Sequence, residues 1–365
     1  MYYYKIADLI VKSDRELVSF REFACEPAEA DITVTETDEL PPRGPESTSG
    51  ALAHRKLADG WFFHNKATEE RGLYINGDYS QLRLLGKDHP LVMNLVDESE
   101  WFIRLAIESA LARRGFVSLH AAAVEVNGEA YAFTGPSGMG KSTRATAWGE
   151  AFAATLISGD RPLIDVRNLE LFGVPWDGKE KCFRNVHYPL KAICEVRRSG
   201  SVYIRKMSFS QRRKLLLRQC YLPMWDTETS AVQMGNITRL AAGAEMIRVF
   251  SGPTAEDARA LYSALKNHQY FKEEKDMKAK QGFVLRNVVD EYILMPTGDN
   301  IGLFNGTVLL NEVSAFVWGK LKNPVSKEDL LKAVLDEYEV EKAVAAADLD
   351  TLLATLKDYG VIEDD

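Results

Sequence analysis

Gly135-Pro136-Ser137-Gly138-Met139-Gly140-Lys141-Ser142-Thr143 decides how this chain is read. It satisfies the phosphate-loop pattern G-x-x-x-x-G-K-[ST] at every fixed position. Each residue type has a physical reason. Glycines let successive backbone N–H groups curl around phosphate oxygens. Lys141 has the reach for β- and γ-phosphates, and the Ser142 hydroxyl suits Mg²⁺. A helix opening at Lys141 would turn its positive end to the same anion. At average glycine usage of about 7%, a chance match in a chain this long is on the order of one in a hundred. The flanks agree with the pattern. Upstream, Ala122–Val126, Asn127-Gly128 and Glu129–Thr134 read as a hairpin whose second strand enters the loop. Downstream, Ser142 to Phe152 reads as helix. The nucleotide contacts expected are Gly135, Ser137, Gly138, Met139, Gly140, Lys141, Ser142 and Thr143.

The chain has 365 residues, 46% of them hydrophobic and 10% aromatic. That composition suits a folded protein of two or three domains. No apolar run of membrane-spanning length occurs, which excludes a membrane span. The start, Met1-Tyr2-Tyr3-Tyr4-Lys5, lacks the plan of a secretory signal. Cys25, Cys182, Cys194 and Cys220 are scattered, which suits reduced thiols in the cytoplasm better than disulfides or zinc. The net charge of −8 is uneven. Residues 281–365 hold 7 basic and 16 acidic side chains, a net of −9, and the rest is near neutral. Nucleic acid is therefore not the expected partner.

The reading is an α/β (α+β) multidomain chain. Residues 1–95 read as a β-rich region: Tyr2 to Val11 and Leu17 to Ala24 are strand-like, and Asn76-Gly77-Asp78 signals a hairpin. Residues 96–265 carry the glycine loop. Glu98 to Arg114 is a helix candidate with Trp101, Leu105, Ile107 and Leu111 on its apolar side. Ala154 to Arg161 reads as an apolar strand ending in an acid, Asp160, positioned for Mg²⁺ or for the attacking group. Lys179 and Arg184 follow a Pro175-Trp176 turn and suit either phosphate contact or solvent. Residues 266–280, dense in Lys and Glu, read as a linker or exposed helix. In residues 281–365, Gly282–Val288, Glu291–Pro296 and Ile301–Leu310 read as strands. Asn311–Leu321, Ser326–Tyr338 and Ala343–Tyr359 read as helices, a winged-helix-like order with Ser326 as an N-cap and Gly360 as a stop.

From Ser118-Leu119-His120 through the loop to Ile157-Ser158-Gly159-Asp160-Arg161, the sequence resembles the catalytic domain of HPr serine kinase/phosphorylase. That fold is related to ATP-dependent phosphoenolpyruvate carboxykinase. A histidine precedes the loop by about fifteen residues, and a strand ending in acid follows it by about twenty. By this resemblance His120, Lys141 and Asp160 are catalytic, and Ser142 and Asp160 hold the metal. The family ends that strand with two aspartates; here the first is Gly159. Either Asp160 serves both roles or another carboxylate moves in.

The C-terminal segment resembles the pyrroloquinoline quinone biosynthesis protein D family, a precursor-peptide recognition element. Phe304-Asn305-Gly306-Thr307, Leu310-Asn311-Glu312, Ala315-Phe316-Val317-Trp318 and Tyr359-Gly360-Val361-Ile362 carry that resemblance. It implies leader-peptide binding as an added strand beside Thr307, Val308, Leu309 and Leu310, flanked by the last helix. Together the two resemblances imply a cytoplasmic kinase using ATP and Mg²⁺ on a Ser hydroxyl of a ribosomally made precursor peptide. ATP and GTP both stay open, as do a homo-oligomer and other maturation enzymes as partners. A scaffold without catalysis, another ATP-driven peptide modification, and HPr itself as substrate are the competing readings.

Overall fold

The turn at Asn127-Gly128 closes two antiparallel strands, Ala121–Val126 and Glu129–Thr134. Asn127 and Gly128 both take positive φ, 55° and 79°, as a two-residue hairpin turn requires. The second strand enters the glycine loop, which opens the helix Lys141–Phe152. Trp148 pins that helix to the sheet. Its fully buried ring lies 4.9 Å from Tyr131 and 5.1 Å from Phe133. Truncating it to Ala would cost about 3–5 kcal/mol.

The computed structural model describes residues 1–39, 44–49, 52–65, 68–85, 98–176, 182, 184–270, 276–288, 291–298 and 308–364. The architecture is mixed α/β, in two compact units, Met1–Phe271 and Lys272–Asp365.

The first unit contains two large sheets. In the sheet that carries the glycine loop, Glu129–Thr134, His187–Arg198 and Met246–Ser251 run parallel. Thr155–Ser158 extends it antiparallel beyond Ala121–Val126. Side chains alternate between the two faces, as strands dictate. Ala122, Val124, Tyr131 and Phe133 pack against Lys141–Phe152 and Ala255–Lys266. Ala121, Ala123, Ala130 and Ala132 pack against Phe209–Gln219 and Thr227–Gly243. Small residues on that second face let the helices come close.

The other sheet is built from residues 2–85 and has eight strands. Its core is continuous with the helix Glu98–Arg113 through Phe102, Ile103 and Leu111. Trp101, expected on that helix's apolar side, is 40% exposed. The strand expected over Leu17 to Ala24 is instead a 3₁₀ helix, Val18–Phe23. The reason lies in where its amides bond. The Tyr4 hydroxyl accepts from Leu17 N at 2.8 Å. The Glu100 carboxylate accepts from Val18 N at 2.5 Å and Ser19 N at 3.2 Å. The amides that open the segment are thus bonded to side chains rather than to a neighbouring strand.

In the second unit, Phe283–Val288, Glu291–Pro296 and Val308–Leu310 form an antiparallel three-stranded sheet. The helices Glu312–Lys320, Lys327–Glu337 and Lys342–Asp358 follow. Leu294, Val308, Leu310, Trp318, Leu330 and Leu356 share its core. Ser326 caps its helix, accepting from Asp329 N at 3.1 Å. Gly360, at φ 66°, ends the last one. Met277–Ala279 pairs with Ile362–Asp364, so the unit takes up part of the segment expected as linker. All four cysteines are free thiols. Among the described residues no helix is long and apolar enough to cross a membrane.

Candidate functional site

The glycine loop has the shape an oxyanion needs. Gly138 and Gly140 take φ of 78° and 89°, the left-handed region that costs side-chain-bearing residues about 1–2 kcal/mol. Several loop carbonyls are drawn outward. Arg198 Nη2 donates to Gly138 O at 2.6 Å. Arg144 Nη1 donates to Met139 O at 3.4 Å, and its Nη2 donates to Ser251 O. The helix Lys141–Phe152 has Gly140 as N-cap, with no side-chain cap bond. Five other helices have a side-chain cap. The first-turn N–H groups here lack that acceptor, the setting in which an anion is bound.

Lys141 is 9% exposed. Its Nζ donates to Gly135 O at 3.1 Å and Pro136 O at 3.4 Å. Burial pulls the ammonium below the ordinary lysine value, and the Asp160 carboxylate partly offsets this. Those two carbonyls are weak acceptors for a desolvated cation, and phosphate oxygens would be stronger ones. Ser142 is half-buried; Ser137 and Thr143 are exposed; Met139 is half-buried, its amide donating to Pro136 O at 3.3 Å.

His120 and Asp160 meet across neighbouring strands. Ala121 N donates to Asp160 O at 2.7 Å, continuing the ladder beyond Ser158. This sets His120 Nε2 3.4 Å from Asp160 Oδ1. Burial lowers the His120 pKa, the Lys141 and Arg161 charges lower it further, and Asp160 opposes them. The imidazole is therefore neutral near pH 7, its ordinary value being 6.5. Thr134 Oγ1 donates to His120 O at 2.8 Å, tying the strand before the loop to the histidine. His120, Lys141 and Asp160, distant in sequence, thus interact electrostatically in one place. Trp176 is buried, and its Nε1 donates to Arg161 O at 3.3 Å, walling the acid's own loop. Arg184 is exposed, and Lys179 lies outside the described residues.

One carboxylate was missed in the sequence. Glu195 lies on the parallel strand next to the loop strand, in register with Thr134. It is 4% exposed. Arg197 Nη2 donates to it at 2.8 Å and Arg248 Nε at 2.7 Å. In phosphate-loop folds an acid at the end of a strand near the loop reaches Mg²⁺. The available signal was a lone acid in the apolar run Ala192-Ile193-Cys194-Glu195-Val196. Among the described residues no group of three or more His, Cys, Asp or Glu side chains is arranged to hold a metal by itself. Mg²⁺ bound through one or two carboxylates plus phosphates needs no such group. Ser142 and Asp160 are donors of the kind that mode uses, whereas Glu195 is held by its two arginines.

In the second unit, Val308–Leu310 is an edge strand, paired on one side to Glu291–Pro296. Val308 and Leu310 face the core, and Leu309 is 63% exposed. Thr307 lies outside the described residues.

Residues 291–362 match the family model described as coenzyme PQQ synthesis protein D (PqqD). The C-terminal unit carries a PqqD domain. Among solved structures, TbiB1 in complex with the TbiA(β) leader peptide is 22% identical, covering 24% of this chain and 94% of that one, with a TM-score of 0.21. Lasso peptide synthetase B1 complexed with the leader peptide is 22% identical, covering 24% and 98%, also with a TM-score of 0.21. No curated protein matches the chain.

Proposed function

We propose that the chain is an ATP- and Mg²⁺-dependent kinase for a ribosomally synthesised precursor peptide, whose leader the C-terminal unit holds. The observation that carries the reading is the buried Lys141, set in an uncapped glycine loop beside the Asp160–His120 pair. This arrangement resembles the HPr kinase plan. The loop amides and Lys141 would bind the β- and γ-phosphates of ATP. Mg²⁺, held through Ser142 with Asp160, would neutralise charge on those phosphates. A Ser hydroxyl of the peptide would attack the γ-phosphorus. Its oxygen forms the new P–O bond, the bond to the β-phosphate oxygen breaks, and ADP leaves. The hydroxyl proton passes to the Asp160 carboxylate. His120, neutral at pH 7, would orient Asp160.

The PqqD match supports leader binding, and Val308–Leu310, paired on one side only among the described residues, offers backbone groups for an added strand. Covalent linkage of the two activities would raise the peptide's local concentration into the millimolar range, about what short flexible linkers give. Peptide-stimulated release of ADP tests the reading. It should need Mg²⁺ and vanish in Asp160→Asn; equal turnover in that variant would remove Asp160 from the mechanism.

Gly159 also favours a second reading, a nucleotide-binding scaffold that delivers the peptide to a partner enzyme. It predicts leader binding and ATP binding with no peptide-dependent ADP release.

A further inference from the structure

A cleft of about 780 Å³ opens in the first unit where the N-terminal sheet meets the segment leading into the helix Thr227–Gly243. Trp61, Trp225, His54, Lys56 and Met224 line it. Its donors are unused. Among the described residues, the indole N–H groups of Trp61 and Trp225 are buried without an acceptor. Trp61 is 3% exposed overall. Unsatisfied buried donors are rare enough in folded proteins to call for an explanation. The His54 imidazole has no hydrogen-bond partner among the described residues and stacks on Phe63 at 5.5 Å. The Lys56 ammonium has no acidic partner among them and stands 3.9 Å from the Trp61 ring. Of the lining acids, Glu46 and Asp226 are engaged, by Arg55 and His64 and by Arg113 and Tyr79, while Glu228 is exposed on the wall. A ligand rich in acceptors and apolar surface matches this wall; an extended peptide, with a carbonyl at every residue, is such a ligand.

A short segment of chain links one wall of the cleft to the candidate active site. His120 N donates to Gln219 O at 2.8 Å, and Tyr221 N donates to Ser118 O at 3.0 Å. The chain then runs on to Met224 and Trp225. Six residues separate Gln219 from Trp225, a span of at most about 20 Å. We infer that this cleft is the acceptor-peptide groove, holding an extended, apolar-rich stretch of the peptide several residues from the hydroxyl that is modified. The inference rests on the kinase reading for the identity of the occupant. Met224, 77% exposed at the rim, then contributes contact area to the peptide.

The test uses the full chain and a fluorescein-labelled synthetic peptide, the part of the neighbouring gene's precursor that follows the leader. Anisotropy gives Kd without nucleotide. The expected result is binding to the wild type, with Kd raised about tenfold or more in Met224→Asp and in Trp225→Ala. Trp225→Phe, which keeps a ring and loses the donor, should give a smaller rise. Met224→Asp changes an exposed side chain, so it reports on the groove even if Trp225→Ala fails to fold. Absence of wild-type binding up to about 1 mM, or an unchanged Kd in Met224→Asp, overturns the groove. Phosphate incorporation is scored separately. Cleft-dependent binding without transfer leaves the groove standing and removes the kinase; transfer with cleft-independent binding does the reverse.

Discussion

Replacing Lys141 by Met should separate binding from folding, with opposite signs. The ammonium is 9% exposed and its pKa is pulled down by burial, so the folded chain bears a desolvation cost for the charge. Met has similar length and no charge. It forfeits the two bonds to Gly135 O and Pro136 O, each worth about 1 kcal/mol net. These terms roughly cancel, so apo stability should stay within about 1 kcal/mol of wild type or rise. Nucleotide binding should suffer fully. Removing a desolvated charge partner costs about 2.7 kcal/mol or more, a factor of about 100 in Kd. At ATP equal to about 100 times the wild-type Kd, linkage stabilises the wild type by about 2.7 kcal/mol and the variant by only about 0.4 kcal/mol. At about 2 °C per kcal/mol for a unit this large, the ATP–Mg²⁺ shift falls from about 5 °C to about 1 °C. Thermal melts followed by Trp fluorescence, with and without ATP–Mg²⁺, measure both quantities. An undiminished shift in Lys141→Met would show that nucleotide does not bind at this lysine. A loss of more than about 2 kcal/mol in the apo form would show that Lys141 is structural.

Asp160→Asn should lower peptide phosphorylation by about 10²–10⁴, the range for a lost general base, while the ATP-induced melting shift persists. Glu195→Gln should cost about 2 kcal/mol in denaturant unfolding, below the 3–5 kcal/mol of a fully buried pair because Arg197 and Arg248 stay partly hydrated. His120 has a folded pKa below its unfolded value of 6.5, so the unfolded chain takes the proton first as pH falls. Its contribution to stability is full above pH 6.5 and is lost as pH drops through 6.5 toward the folded pKa; the stability difference between wild type and His120→Gln, followed from pH 8 to 5, should show that loss. Leu309→Asp, at a 63% exposed edge position, should leave melting unchanged and weaken leader binding about tenfold by calorimetry.

The local parts of this structure were legible because local chemistry writes them. Asn127-Gly128 demanded positive φ, and Ser326 with Asp329 marked a helix start. His120 was nominated by the resemblance to HPr kinase and Asp160 by its place after an apolar strand, and the 3.4 Å approach of their side chains follows from strand pairing. Glu195 was not legible. Its importance lies in being parallel to the loop strand and in register with Thr134, a relation between residues about sixty positions apart. Val18–Phe23 failed for the same reason. Its apolar residues suit a strand, and the deciding bonds come from Glu100, about eighty residues away. The cleft around Trp61 and Trp225 likewise joins residues with no shared local pattern.

The most direct measurement is the intact mass of the precursor peptide after incubation with the full chain, ATP and Mg²⁺, run beside the same peptide without its leader. The account predicts a gain of one phosphate on the full-length peptide, lost with Lys141→Ala and much reduced without the leader. An unmodified full-length peptide, under conditions where leader and ATP are both shown to bind, would contradict the kinase and leave the scaffold.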